Sequence, residues 1–290
     1  MTQAHRATVW LLLTTVIWGW SYAEIRATVT MHGVLPFLTL RFALATLVMA
    51  PVAWRGWAWS DAGVGVRIGL VLACAYGTQA WGLCYTTASN SGLISGLFVL
   101  FAMGLNRLMY GVPMRRHFWP AALLSMVGTA LLTGASAAPL NRGDGLALLS
   151  AFFWGLHVVL LDRHARRHAA CSLAWVQVLT STLVFAMAWP LEQPVALPAA
   201  VPFWVAVAAT GILATALGFF AQTYAQQHIS AWRTSIILTL EPVFALAFGV
   251  LLAGERLSWP QGLGALLLLA AVVLVEVVPR RPPPPAAPAA

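Results

Sequence analysis

Residues 91–102 read SGLISGLFVLFA and residues 234–245 read TSIILTLEPVFA. An offset of 143 lays Ile94 on Ile237, Leu97 on Leu240 and Phe101-Ala102 on Phe244-Ala245, and extends outward to Gln79 on Gln222, Ala88 on Ala231 and Gly111 on Gly254. An offset of 136 serves the earlier part of each half, placing Trp18-Gly19 on Trp154-Gly155 and Thr46-Leu47-Val48 on Thr182-Leu183-Val184. After a three-residue change in loop length, Trp119-Pro120 meets Trp259-Pro260. Apolar sequences match by chance at single positions. An ordered series that includes Trp-Gly and Trp-Pro pairs indicates internal duplication.

The composition says where such a duplicated chain resides. Of 290 residues, 60% are hydrophobic and 8% charged, with a mean hydropathy of +0.82. A soluble domain carries roughly 25% charge. At about 20 apolar residues per bilayer span, ten spans fit this length and leave little room for a soluble domain. Hydropathy, read against Gly, Pro and charge, places them at Thr8–Ala27, Leu35–Trp54, Arg67–Thr86, Gly92–Tyr110, Phe118–Ala135, Gly145–Leu161, Ser172–Pro190, Phe203–Ala225, Arg233–Ala253 and Trp259–Val278. The break at Ser89–Asn90–Ser91 makes the count even. His5, Arg6 and the apolar run Val9–Trp20 also resemble a signal peptide; the repeat assigns that run to a retained helix.

The expected fold is therefore an all-α membrane protein of ten transmembrane helices in two five-helix repeats, 1–136 and 137–279, followed by a disordered Pro/Ala tail, 280–290. An odd number of spans per unit makes the second unit enter the membrane from the opposite side. Such inverted repeats usually enclose a substrate site near the midplane that opens alternately to the two sides.

All 16 basic residues are Arg, and the pI is near 10.4. A cytoplasmic N-terminus puts eleven of them on the inner side: Arg6, Arg55, Arg67, Arg115, Arg116, Arg163, Arg166, Arg167, Arg233, Arg280 and Arg281. Only Arg26, Arg142 and Arg256 fall outside. This positive-inside bias places both termini in the cytoplasm and explains the basic excess without nucleic acid. Cys74, Cys84 and Cys171 supply neither a disulfide framework nor a CxxC metal site. No nucleotide-binding glycine loop, HExxH or GxSxG motif is present. The chain reads as neither an enzyme nor a cofactor or metal protein.

Several short motifs, in order, carry a family resemblance. They are Ile17-Trp18-Gly19, Arg41-Phe42, Tyr85-Thr86-Thr87-Ala88-Ser89, Gly111-x-Pro113, Glu241-Pro242 and Gly254-Glu255-Arg256-Leu257. With these the chain resembles, along nearly its whole length, the EamA-type branch of the drug/metabolite transporter superfamily. In length, Tyr76 and Trp154 it resembles the aromatic amino acid exporters of the YddG type. The resemblance implies a bacterial inner-membrane carrier, monomeric, exporting amino acids or similar small metabolites. The first half departs from the pattern, with Phe98-Val99 opposite Glu241-Pro242 and Val112 where a Glu would stand. A multidrug or other-metabolite exporter of the same fold, and a channel, remain alternatives.

The candidate substrate residues come from helix geometry and the repeat. Trp18 and Tyr22 lie about 40° apart on the helix wheel, with Ser21 beside them. In span 3, Gln79 and Trp81 lie about 200° apart, so Tyr76/Gln79 and Trp81/Tyr85 cannot line one cavity. Tyr76 and Gln79 are preferred because the repeat sets Phe219 and Gln222 at the equivalent face of span 8. Trp154 and His157 in span 6, Phe98 in span 4 and Gln222 complete the set; each also has a reading as helix packing. Glu24, Arg41 and Glu241 are the ionisable residues best placed within spans, where charge defaults to function. Gly63-x-Gly65, Gly92-x3-Gly96 and Gly249-x4-Gly254 read as points of close helix packing.

Overall fold

The computed structural model describes residues 2–56, 58–86, 91, 94–113, 116, 118–134, 141–192, 198–253 and 256–277. The tail 280–290, the Asn90 break and the Tyr22 side chain lie outside the described residues. Among the described residues every regular element is helical. These are α1 (Gln3–His32), α2 (Val34–Arg55), α3 (Trp59–Tyr85), α4 (Phe98–Tyr110), α5 (Phe118–Thr133), α6 (Arg142–His164), α7 (Ala170–Ala188), α8 (Val201–Gln226), α9 (Ala231–Leu238), α10 (Glu241–Ala253) and α11 (Trp259–Val277). Among the described residues, six helical stretches are long and apolar enough to cross a membrane, and α4, α5 and α11 contribute shorter apolar helices.

Local chemistry accounts for the boundaries. Thr2 accepts a hydrogen bond from the His5 amide, so α1 begins ahead of its apolar run. Gly33, at φ 90°, turns α1 directly into α2 in a conformation that L side chains avoid. The Glu192 carboxylate then accepts hydrogen bonds from the Val34 and Leu35 amides, at 2.8 and 2.7 Å. That anion at a helix N-terminus satisfies two of its orphan donors. Asn141 and Asp144 form a capping box that starts α6 three residues before the apolar run alone indicates. Inside α8, residues Thr210–Leu217 form a π-helix, a one-residue widening frequent at functional sites.

The span expected as one helix over Arg233–Ala253 is two. Thr239-Leu240 forms a turn between α9 and α10. Pro242 has no N–H to donate and its ring crowds the preceding turn, so the break falls just before Glu241-Pro242, which begin α10. A turn at Gly96-Leu97 also precedes α4, at the positions an offset of 143 makes equivalent. There no proline is present.

Taking the end where α1 turns into α2 as the top, α3 packs on α6 and α7, while α8 packs on α1 and α2. The α4 helix lies on α6 and α10 on α1; α2 crosses α7, and α5 crosses α11. Small residues allow the close crossings. A methyl group at Gly19 would lie 2.7 Å from the Glu241 carbonyl oxygen, 2.7 Å from Phe244 Cβ and 2.9 Å from the Ala245 nitrogen. One at Gly155 would lie 3.0 Å from the Phe98 oxygen, 2.8 Å from Phe101 Cβ and 2.7 Å from the Ala102 nitrogen. Gly128 and Gly264 likewise face one another's backbone where α5 meets α11. Gly65 is pressed on Val176, but a methyl at Gly63 would meet nothing within 4 Å. Gly63 is therefore no packing point, because it sits on a different face of α3.

Candidate substrate cavity

Between the crossing helices lies a cavity of about 350 Å³. Its walls come from the upper halves of α1, α2 and α3, the middle of α6, the upper end of α5, the starts of α4, α10 and α11, and the break between α9 and α10. Both helix breaks open onto it, through Gly96 and Phe98 on one side and Thr239 and Glu241 on the other. Broken helices are tolerated at membrane depth where they line a cavity.

Aromatic rings form the lower part. Trp18, Tyr76 and Trp154 line the cavity, with Tyr76 5.1 Å and Trp18 6.3 Å from the Trp154 ring. Phe42 and Phe219 back them, at 5.1 Å from Tyr76 and 5.6 Å from Trp18. The Trp18 indole donates a 2.7 Å hydrogen bond to the Ala214 carbonyl within the π-helical stretch of α8. Trp18 is thereby held in one orientation with its ring against the cavity.

Of the residues singled out from sequence, the structure brings Trp18, Tyr76, Gln79, Phe98 and Trp154 together on this cavity. Trp81 and Tyr85 are exposed and do not reach it. His157 and Gln222 are fully buried below it rather than on its surface. Thr223 Oγ1 donates to the Phe219 carbonyl at 2.7 Å, so it accepts from the Gln177 amide nitrogen at 3.1 Å. The Gln177 oxygen therefore faces His157 Nε2 at 2.8 Å, which makes Nε2 the protonated nitrogen. Nearby, Gln222 donates to Gln226, and Gln226 donates to the Val158 carbonyl at 2.8 Å. These bonds tie α6, α7 and α8 together beneath the rings.

Two cavity residues stand out that helix geometry and the repeat alone did not assign to a common site. Arg41 on α2 is 0% exposed. Its Nε donates to Thr215 Oγ1 at 2.7 Å, its Nη2 reaches the Tyr76 hydroxyl at 3.5 Å, and its Nη1 has no partner. The guanidinium carbon sits 5.3 to 6.0 Å from the ring centres of Tyr76, Phe42 and Phe37. Opposite, Glu241 lines the same cavity from the broken helix. No hydrogen bond to its carboxylate and no ion pair within 4.0 Å of Arg41 is formed among the described residues. The signal was an ionisable side chain inside a span, which marks a functional group but not its partner.

A cavity of this size, mostly apolar with a few convergent polar groups, suits a small molecule rather than a macromolecule. No group of three or more His, Cys, Asp or Glu that could hold a metal ion occurs among the described residues. Comparison with known proteins then identifies the chain. The model of the EamA-like transporter family matches it twice, over residues 5–134 and 141–277. An "Uncharacterized transporter" of Archaeoglobus fulgidus is 30% identical over 263 residues, which span 89% of this chain and 81% of that protein. A "Probable amino-acid metabolite efflux pump" of Salmonella typhimurium is 26% identical over 278 residues, spanning 88% and 90%. A solved structure described as "Crystal structure of protein" shares the fold, with a TM-score of 0.79 at 18% identity over 94% of this chain and 96% of its own. The protein is a membrane transporter that belongs to the EamA-like transporter family.

Proposed function

We propose that this protein is a secondary transporter that exports amino acids, aromatic ones included, or similar small metabolites by alternating access. One observation carries the reading: three repeat-related pairs occupy opposite environments, although Trp18/Trp154 and Phe98/Glu241 meet on the cavity together. Ser21, Gln79 and Leu83 line the cavity. Their counterparts at offsets of 136 and 143 are His157, Gln222 and Gln226, which are buried in the hydrogen-bonded layer below. A two-state carrier held in one state would show that asymmetry, with one half open and its twin closed. Exchanging the environments opens the lower half around Gln222 and Gln226 and closes the upper half around Gln79 and Leu83.

Two further features support ten spans in two inverted units, 1–136 and 137–279. The neighbours of Gly155 (Phe98, Phe101 and Ala102) are the offset equivalents of those of Gly19 (Glu241, Phe244 and Ala245). The helix packing also exchanges under the same operation: α3 on α6 and α7 mirrors α8 on α1 and α2. With the arginine-rich segments in the cytoplasm of a bacterial cell, both termini are cytoplasmic and the cavity faces away from the cytoplasm across the inner membrane. One chain encloses the whole cavity, so a monomer suffices. The similarity to the amino-acid metabolite efflux pump of Salmonella typhimurium favours an amino-acid metabolite over a bulky drug.

The test is uptake of a labelled amino-acid panel, aromatic members included, by proteoliposomes of the purified protein with and without a pH gradient. Saturable, competable uptake is expected. Absence of uptake for every member, with folding verified, moves the function to another metabolite or to drugs.

A further inference from the structure

Arg41 and Glu241 are the charged side chains among the cavity-lining residues. They are not paired with each other within 4.0 Å. A fully buried guanidinium with an unpartnered Nη1 is costly unless something meets it. The carboxylate across the cavity, without a hydrogen-bond partner among the described residues, presents the complementary need. Together the two charges sum to zero. A ligand that carries a single charge satisfies one pole and leaves the other uncompensated, whereas a ligand with one anionic and one cationic end satisfies both.

We infer that Arg41 and Glu241 are the two poles of a head-group site for a zwitterion. The inference rests on the transport reading above and adds its recognition chemistry. Nη1 of Arg41 takes the substrate carboxylate. This geometry is preset, because Thr215 holds Nε and the rings of Phe37, Phe42 and Tyr76 flank the guanidinium plane. Glu241 takes the ammonium group. Its place at the start of α10, forced by the break at Pro242, turns it toward the cavity instead of along a continuous helix. The Tyr76, Trp154 and Trp18 rings remain as the wall for the substrate's own side chain.

A site built this way selects against analogues that lack either charge, because the abandoned pole is left buried and unpaired. The loss expected for each is on the order of 100-fold or more in affinity.

The experiment is ligand-induced thermal stabilisation of the purified full-length protein with the twenty proteinogenic amino acids. For each amino acid that stabilises, its decarboxylated amine and its deaminated acid follow. The expected result is stabilisation by the amino acid, with both analogues weaker by about 100-fold or more. Glu241→Gln and Arg41→Gln should each lose most of the amino-acid affinity, and Glu241→Gln should narrow the gap between the amino acid and the deaminated acid. Discrimination by the unmodified protein needs no variant, so it stands even if Arg41→Gln fails to fold. Equal binding of the amine or the acid, or an unchanged affinity in the folded variants, overturns the two-pole site and leaves the transport reading intact. Stabilisation by no amino acid overturns the amino-acid reading itself, and the two-pole site with it.

Discussion

The hydroxyls of Thr46 and Thr182 lie 2.9 Å apart, hydrogen-bonded to each other where α2 crosses α7. They are the two residues that an offset of 136 superimposes. On the inverted-repeat proposal, a contact between equivalent positions lies on the axis that relates the two units, as residue pairs do at an isologous interface. Each hydroxyl also approaches its own helix, at Phe42 O and Val178 O. A double-mutant cycle with Thr46→Val and Thr182→Val should therefore give a modest coupling of about 0.6 kcal/mol, measured by reversible unfolding in mixed micelles. A coupling indistinguishable from zero would mean that the contact contributes nothing and that α2 and α7 are held by van der Waals packing alone.

Tight crossings give a steric prediction. Gly19→Val should destabilise by about 1–3 kcal/mol, because even the first methyl meets the Glu241 carbonyl oxygen and Phe244 Cβ at 2.7 Å. Gly155→Val should behave alike on the opposite side. Gly104→Ala, where nothing lies within 4 Å, is the control and should be neutral or stabilising by up to about 1 kcal/mol. Thermal unfolding of the three variants in detergent decides it.

Site residues and packing residues separate by the same measurement. Gln79 is half-buried on the cavity wall, and no hydrogen bond ties it to the described residues. Gln79→Ala should leave stability within about 0.5 kcal/mol while lowering transport several-fold. Trp154→Ala should also reduce transport with membrane insertion intact, at a larger cost in stability because its ring contacts Tyr76, Trp18 and His157. Full transport in both variants would remove these residues from the substrate path.

The closed layer predicts the reverse pattern. Gln177→Leu removes the group that bridges His157 and Thr223, leaving buried polar atoms unmatched at about 1–3 kcal/mol. Its loss should appear chiefly as a lowered unfolding temperature. If the layer is also the gate that alternating access requires, the folded fraction should admit thiol reagents more readily at a cysteine placed at position 222.

Accessibility tests the proposed alternation between two states directly. In a background with Cys74, Cys84 and Cys171 replaced, Gln79→Cys should react with a membrane-impermeant thiol reagent at least about 10-fold faster than Gln222→Cys, since only the former lines the cavity. Adding transported substrate should shift both rates, in opposite directions. Rates that respond to nothing would argue for a static pore.

Much of the architecture was legible because membranes impose a coarse rule. Apolar length acts through bulk hydrocarbon and does not depend on which helix touches which, so the helical, membrane-embedded character could be read; the repeat and the arginine placement remain proposals. Helix-wheel angles put Tyr76/Gln79 and Trp81/Tyr85 on different faces, since about 100° per residue is a local property, and only the former pair lines the cavity. The pairing of Trp18 with Ala214, 196 positions away, is not local, and no pattern in the sequence announces it.

Amino-acid order alone determined that this chain is helical and membrane-embedded, and it pointed to a duplication of five spans, because hydropathy and periodicity are sums over neighbours. Tertiary structure decided which of two matched glutamines faces the cavity: Gln79 lines it while Gln222 is sealed below, although the two were equals in the sequence. It also set Arg41 and Glu241, separated by 200 positions, across one small space without letting them pair. The reason is physical: burial and charge compensation are properties of three-dimensional neighbourhoods, which hydropathy and periodicity along the chain do not encode.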